Sequence, residues 1–441
     1  MRRQVRARSL SARQGRVIES RPAPGARAAS DAPRPAPVAG EPPILVLERA
    51  AVLSNGWFVR WLTAAGTGGC RLGAIALTPW RADPIEDTQG CLVYLRDRVD
   101  GSFWSLGREP VRGEPDTYQV AWHPGRFEIT RRERGIESRL EACVAADAPA
   151  EVARITVRNA SRRPRTLEIT TYAEVLLHEP AAGAAHPAFA KLFVETELVA
   201  AAAALVARRR PRHPSERFPI LVHSLAGPGP LEHETDRVRW IGRGRSLAEP
   251  LAMNGGGGLS GSTGSVLDPI VSLRRIFELE PGELVTFALL FGAGADREEA
   301  LELARRFLDP SAAGAALEQA ELHRRAEIAR LELDPVRAEG AEALAVALRY
   351  GDGALRSGGG RGAATLEWPG ATPGAPDDRP LVLYAVRGRA AAADLPAFLA
   401  LCRYWGSLGL PADAVVLADD SGALRAGLAR ADLPAACGSS T

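Results

Sequence analysis

Alternation of apolar and polar residues between positions 42 and 294 is the feature that most limits what this chain can fold into. Ala153, Ile155 and Val157 alternate with Arg154, Thr156 and Arg158. After a turn-like Asn159-Ala160-Ser161, the apolar parity resumes at Leu167, Ile169, Thr171, Ala173 and Val175, interleaved with Glu168, Thr170, Tyr172 and Glu174. A period of two places successive side chains on opposite faces of a strand, so this stretch predicts a long antiparallel hairpin with one buried face. Val271, Leu273, Phe277 and Leu279 share one parity, Glu280-Pro281-Gly282-Glu283 makes a turn, and Val285, Phe287, Leu289 and Phe291 return. Many strands separated by turn signals, with few long helical stretches, predict a mainly β chain built on a large antiparallel sandwich.

The flanks differ in character. Residues 1–41 form an Arg/Ala/Pro-rich tail; its first forty residues carry nine Arg against Glu19 and Asp31. No apolar run follows this basic start as a signal peptide would require, and the composition predicts disorder. Over 295–335 the pattern predicts two linker helices, the first capped by Asp296 and ending near Asp309-Pro310, the second running from about Ala315 to Leu331. Residues 336–379 read as a Gly/Pro-rich connector with a short helix. Residues 380–441 read as a small partial α/β unit. Pro380–Val386 and Ala412–Ala418 are buried strands, joined by a helix capped at Asp394 that carries Phe398, Trp405 and Leu408 on one face. Two strands make no stable sheet alone, so either they join strands elsewhere in the chain or the rest of their domain is missing.

Composition excludes several function classes. Lys+Arg is 55 and Asp+Glu 53, without the basic excess of a nucleic-acid binder. The longest purely apolar run, Leu198–Ala207, is about half of what a membrane span needs, so a soluble, cytoplasmic protein without nucleic-acid partners is expected. The five cysteines have no CxxC spacing and the seven histidines no metal-ligand spacing, so neither a disulfide framework nor a metal site is expected. No motif for a phosphate-binding loop, a zinc protease helix or a serine nucleophile elbow is found. Three clusters combine aromatic rings with polar forks: Thr78-Pro79-Trp80-Arg81-Ala82-Asp83-Pro84; Tyr94-Leu95-Arg96-Asp97 with Phe103-Trp104-Ser105; and the stretch from His186 through Lys191 to Glu197. Such groups suit sugars, since an aromatic face stacks on the C–H face of a pyranose and planar Arg or carboxylate groups bond paired hydroxyls. The bland alternative is that the rings are core and the Arg–Asp pairs structural.

Several runs carry a specific resemblance. They are Val52-Leu53-Ser54-Asn55-Gly56, Leu62–Gly68, the Thr78–Pro84 and Tyr94–Asp97 stretches, Gly135–Glu141, Thr171-Tyr172-Ala173-Glu174-Val175, His186–Glu197, Glu234-Thr235-Asp236-Arg237, Gly242–Arg245 and Gly264–Ile270. In this order they resemble the β-supersandwich of cyclic β-1,2-glucan synthases and their relatives, the cellobiose and chitobiose phosphorylases. The C-terminal unit, with Tyr404-Trp405 in its helix, resembles the segment that follows the supersandwich in the synthases. There a Gly-Ile-Ser-Gly-Asp-like motif precedes the strand; here Ala371–Asp378 stands in its place.

The resemblance implies that catalysis in such a system belongs to an α/α barrel, whose aspartate protonates the glycosidic oxygen while inorganic phosphate attacks the anomeric carbon. Twelve helices with their loops need about 350–400 residues, whereas 141 residues follow position 300. No residue here matches the catalytic aspartate, so none is assigned a catalytic role. No cofactor is expected, and phosphate would be a co-substrate only with a barrel partner. The expected partners are a β-glucan or oligosaccharide, with a homodimer or a separate barrel chain as protein partner, and association with an inner-membrane synthase is compatible with this. Trp80, Arg81, Asp83, Arg96, Asp97, Trp104, His186 and Lys191 are the candidate carbohydrate contacts; Lys191 is also the only lysine in the chain. Two other readings stay open at this level: an active phosphorylase or glycosyltransferase with an unrecognised site, and a structural remnant without sugar affinity.

Overall fold

Two antiparallel sheets face each other across one apolar interior. In the computed structural model, residues 17–19, 50–81, 88–254, 257–350, 380–386, 388–410 and 412–418 are described. The larger sheet has ten strands in the order Val17–Glu19, Thr117–His123, Arg126–Glu133, Ile136–Val144, Ala150–Asn159, Leu284–Gly294, Ile220–Ala226, Ala204–Arg209, Val194–Val199 and Gly264–Ser265. The smaller has five: Leu231–Asp236, Pro269–Leu279, Arg165–Glu174, Leu92–Asp97 and Phe103–Ser105. Between them lie Phe127, Ile155, Val157, Phe287 and Phe291 from one side and Leu95, Trp104, Leu167, Ile169 and Leu273 from the other, all fully or almost fully buried. Burying each such side chain contributes roughly 1.5–3 kcal/mol. Apart from the edge strand Val17–Glu19, the basic tail expected at 1–41 lies outside the described residues.

Neither expected hairpin forms. Ala150–Asn159 pairs with Ile136–Val144 and Leu284–Gly294, whereas Arg165–Glu174 pairs with Pro269–Leu279 and Leu92–Asp97 in the opposite sheet. The turn at 280–283 likewise carries the chain from one sheet to the other. Both connections are therefore arches, and they are nested. Asn159 fastens them: its side-chain amide donates to Arg163 O (2.8 Å) and Leu279 O (3.0 Å), while its backbone N–H donates to Glu283 O (3.0 Å) and Gly282 N–H donates to Asn159 O (2.7 Å). A buried amide with this many partners specifies the crossing, because leaving them unpaired would cost their desolvation.

The two sheets are also tied by His223. Its Nδ1–H donates to Leu290 O (3.0 Å) in its own sheet, which fixes the tautomer, and Nε2 accepts from the Thr171 hydroxyl (2.7 Å) across the interior. Burial pushes this imidazole down to about 4, and the Leu290 bond offsets only part of that. The unfolded chain binds this proton near the ordinary value of about 6.5 while the folded protein does not, so stability rises with pH between these values and is flat above them. Chemical denaturation from pH 7 to pH 4 is expected to reveal a loss of order 3 kcal/mol that His223→Gln removes. An unchanged slope in that variant would assign the loss to other groups.

The helices are α1 (Pro180–Ala185), α2 (Pro187–Lys191), α3 (Arg237–Ile241), α4 (Leu251–Asn254), α5 (Arg297–Arg306), α6 (Pro310–Arg330), α7 (Pro335–Tyr350) and α8 (Gly388–Ser407). Asp296 caps α5 as expected, accepting from Glu299 N–H (2.9 Å). Residues 295–335 are not mere linkers. Leu301, Phe307 and Leu317 cover Val152, Val222 and Leu290 on the outer face of the ten-stranded sheet. The second helix begins earlier than expected because Asp309 caps it and Pro310 sits at its first position, where its missing N–H costs nothing. Helices α3 and α4 cover the outer face of the five-stranded sheet with Trp240 and Met253.

A third sheet, Ala50–Ser54, Phe58–Thr63, Gly68–Leu72 and Ile75–Ala76, supports the C-terminal unit. Leu381–Val386 and Asp413–Ala418 pair in parallel, as expected of the α/β unit. Helix α8 starts at Gly388, before the expected cap at Asp394, since the Ala run 390–393 favours helix. Among the described residues these two strands join no other strand; it is α8 that packs on the third sheet and α7, with Tyr404, Trp405 and Leu408 against Val52, Val59, Trp61 and Ala341. The Trp405 Nε1–H donates to Ala341 O (2.8 Å) and the Ser54 hydroxyl to Leu408 O (2.7 Å). The short helix expected within 336–379 is α7; residues 351–379 lie outside the described residues. Among the described residues, no helix is long and apolar enough to cross a membrane.

Candidate functional site

Strands of the five-stranded sheet run alternately up and down, so Leu231–Asp236 and Arg165–Glu174 end at the edge where Leu92–Asp97 and Pro269–Leu279 begin. The connections 77–91, 175–193 and 237–268 leave from this one end. Here four side chains from four separate segments close a ring of ion pairs. Lys191 Nζ, at the end of α2, lies 3.2 Å from Glu174 Oε2 and 2.5 Å from Asp268 Oδ1. Arg237 Nε lies 2.9 Å from Glu174 Oε1, and its Nη1 3.4 Å from Asp268 Oδ2. Asp236 sets the position of Arg237 by capping α3, accepting from Val238 N–H (2.9 Å). Tyr172 donates its hydroxyl to Glu174 Oε1 (3.1 Å), and its ring lies tilted against the Trp240 ring with centroids 4.5 Å apart.

The charges of this ring cancel and its side chains are about one-fifth exposed, Arg237 rather more. Burial alone would raise the Glu174 carboxyl, but Lys191 and Arg237 outweigh it and hold the group below the usual carboxylate range. It stays ionised at neutral pH and has no proton to give a leaving group. Pro79, Thr88, Gln89 and Gly90 form a narrow crevice against Tyr172 and Glu174. No three His, Cys, Asp or Glu side chains among the described residues are grouped to hold a metal ion.

The structure divides the eight candidate contacts. Trp104 is 1% exposed, inside the sandwich, and has no face to offer a ligand. Asp97 is fully buried, accepting from Arg165 and from Val99 N–H (2.8 Å), and Arg96 is buried against Glu168 (3.3 Å). These three are corrected to structural roles; both polar residues sit at the end of the sheet opposite the ring. Trp80 is half-buried with its ring edge-on to Trp61 (5.7 Å), and its indole N–H has no hydrogen-bond partner among the described residues. Arg81 is exposed, its backbone N–H given to the Gln89 side chain. Asp83 lies outside the described residues. His186 is exposed between α1 and α2, and Lys191 is in the ring. Sequence reasoning missed Tyr172, Glu174, Arg237 and Asp268 as its companions. The available signal was that all four belong to resembling segments: Tyr172 and Glu174 to 171–175, Arg237 to 234–237 and Asp268 to 264–270.

Residues 41–310, more than half of the chain, match the family model for the supersandwich domain of glycosyl hydrolase 94. The chain belongs to this glycosyl hydrolase 94 supersandwich family. Its supersandwich is similar to part of the cyclic β-(1,2)-glucan synthase NdvB of Rhizobium meliloti, 35% identical over 262 residues, 58% of this chain and 9% of that protein. It is also similar to solabiose phosphorylase of Paenibacillus borealis, 28% identical over 49% of this chain and 28% of the relative. N,N'-diacetylchitobiose phosphorylase of Vibrio proteolyticus is 25% identical over 51% of this chain and 28% of its own length. The chain thus spans less than a third of the length of these curated relatives.

Proposed function

We propose that this chain is a carbohydrate-associated supersandwich of a glucan synthase or glycoside phosphorylase-like system, binding β-glucan without catalysis of its own. The observation that carries this reading is the convergence of four family-like segments on the Glu174–Lys191–Arg237–Asp268 ring at one end of the five-stranded sheet. Loops held by such a ring form a surface fixed in advance, which lowers the ordering cost of recognition. The ionised state of Glu174 supports a binding role over acid catalysis. The name of the synthase relative points to a β-1,2-glucan as the ligand. A second copy of this chain, or a separate α/α-barrel chain, is the protein partner this reading accommodates, with phosphate acting only where such a barrel is present.

Calorimetric titration of the whole chain with linear and cyclic β-1,2-glucans tests the proposal, with cellobiose and inorganic phosphate as comparisons. Saturable heat with the glucans, insensitive to salt because the ligand is neutral, is the expected result. No saturable binding at millimolar glucan would refute the binding role.

A further inference from the structure

We infer that the solvent face of α2 is a saccharide platform, with Phe189 as the stacking ring and Arg212 as the hydrogen-bonding fork; this rests on the glucan-binding reading above. Lys191, on the same short helix, is committed to Glu174 and Asp268, so the ion-pair ring braces α2 rather than meeting a ligand. What α2 turns outward is Phe189, 49% exposed, with Leu192 at 42% just beyond it. Single exposed apolar side chains are ordinary, but these two sit together on and just past the end of a helix braced by ion pairs.

The Phe189 ring is fixed before any ligand arrives. It meets Phe193 edge to face, with centroids 5.1 Å apart. Phe193 in turn lies under the Arg209 guanidinium (5.3 Å), whose Nη1 donates to Ala190 O (2.6 Å). The Arg212 guanidinium lies over one face of the Phe189 ring, 5.8 Å from its centroid. Arg208 and Arg210 both pair with Glu195, whereas the Arg212 side chain has no ion pair among the described residues and keeps its donors. An exposed ring with a planar set of N–H donors over one face suits a neutral β-linked glucose oligomer: the uncovered part of the ring takes the C–H face and the fork takes neighbouring hydroxyls.

The test is titration of the whole chain, as wild type, Phe189→Ala, Phe189→Tyr and Arg212→Gln, with a linear β-1,2-gluco-oligosaccharide. Thermal melting first confirms that each variant folds, as the exposure of these side chains leads one to expect. The platform requires Phe189→Ala to weaken binding about tenfold, Phe189→Tyr to retain it, and Arg212→Gln to weaken it severalfold. If wild type binds and Phe189→Ala binds equally well, the platform is overturned while glucan binding stands. If wild type itself does not bind, the reading on which the platform rests has failed, and the platform with it.

Discussion

Arg60→Met should destabilise the protein by roughly 3–5 kcal/mol, because it strands a charge that water cannot reach. Arg60 is 2% exposed in the third sheet, and its Nε lies 2.8 Å from Glu151 Oε2 in the ten-stranded sheet, which is equally enclosed. Its Nη1 also donates to Trp61 O (3.1 Å). Burial would lower the guanidinium's affinity for its proton, yet Glu151 reverses the sign and keeps it charged. The surroundings are otherwise apolar; burial drives the nearby Cys70 thiol up to about 12. With methionine at 60, Glu151 must stay ionised without a partner or take up a proton, and both cost stability. A typical domain has about 5–15 kcal/mol in total, so the loss should be plain in a denaturant melt. Converting Glu151 to methionine as well removes the stranded charge and should recover most of the deficit. A single-variant loss below about 1 kcal/mol would mean that water reaches the carboxylate.

Trp104→Ala should cost a similar amount, roughly 3–5 kcal/mol, for a different reason. Its indole fills the space between the sheets beside Leu95 and Leu167, and alanine would leave a cavity that strands of both sheets hold open. Trp104→Phe should lose less, since much of the volume remains. The two substitutions also separate packing from recognition. Measured at a temperature where the alanine variant is still folded, glucan affinity should equal that of wild type. A weakened affinity in the folded variant would return Trp104 to the ligand surface.

The strands were legible in the sequence because the residues facing the interior recur at every second position, as in Ala153-Ile155-Val157, Leu167-Ile169, Val271-Leu273, Phe277-Leu279 and Phe287-Leu289-Phe291, even though helices also cover the outer faces. Their partners were not. Alternation reports which side of a strand is buried, and a turn such as Asn159-Ala160-Ser161 closes an arch as readily as a hairpin; only the bonds of Asn159 to residues far along the chain decide. The supersandwich itself was legible through its ordered motifs, and the family match bears this out. The candidate contacts were legible only as chemistry. Trp104 and Phe189 are both aromatic rings beside polar groups, and nothing local distinguishes a ring inside the sandwich from one facing water. The ion-pair ring was hidden for the same reason as the arches: Lys191 meets Asp268 across 77 positions and Arg237 meets Glu174 across 63.

The nested arches bear on how this chain emerges from the ribosome. Asn159 waits for Leu279, 120 residues later, before its amide is satisfied. Ala150–Asn159 gains its second neighbour only once Leu284–Gly294 has been synthesised. Until then a long strand edge stays open, able to recruit another chain. Pairings between distant segments also slow folding itself, towards the millisecond-to-second range of β-rich topologies. The vulnerable interval is therefore set by translation, and it closes when the second arch is complete and α5 and α6 settle over the finished sheet.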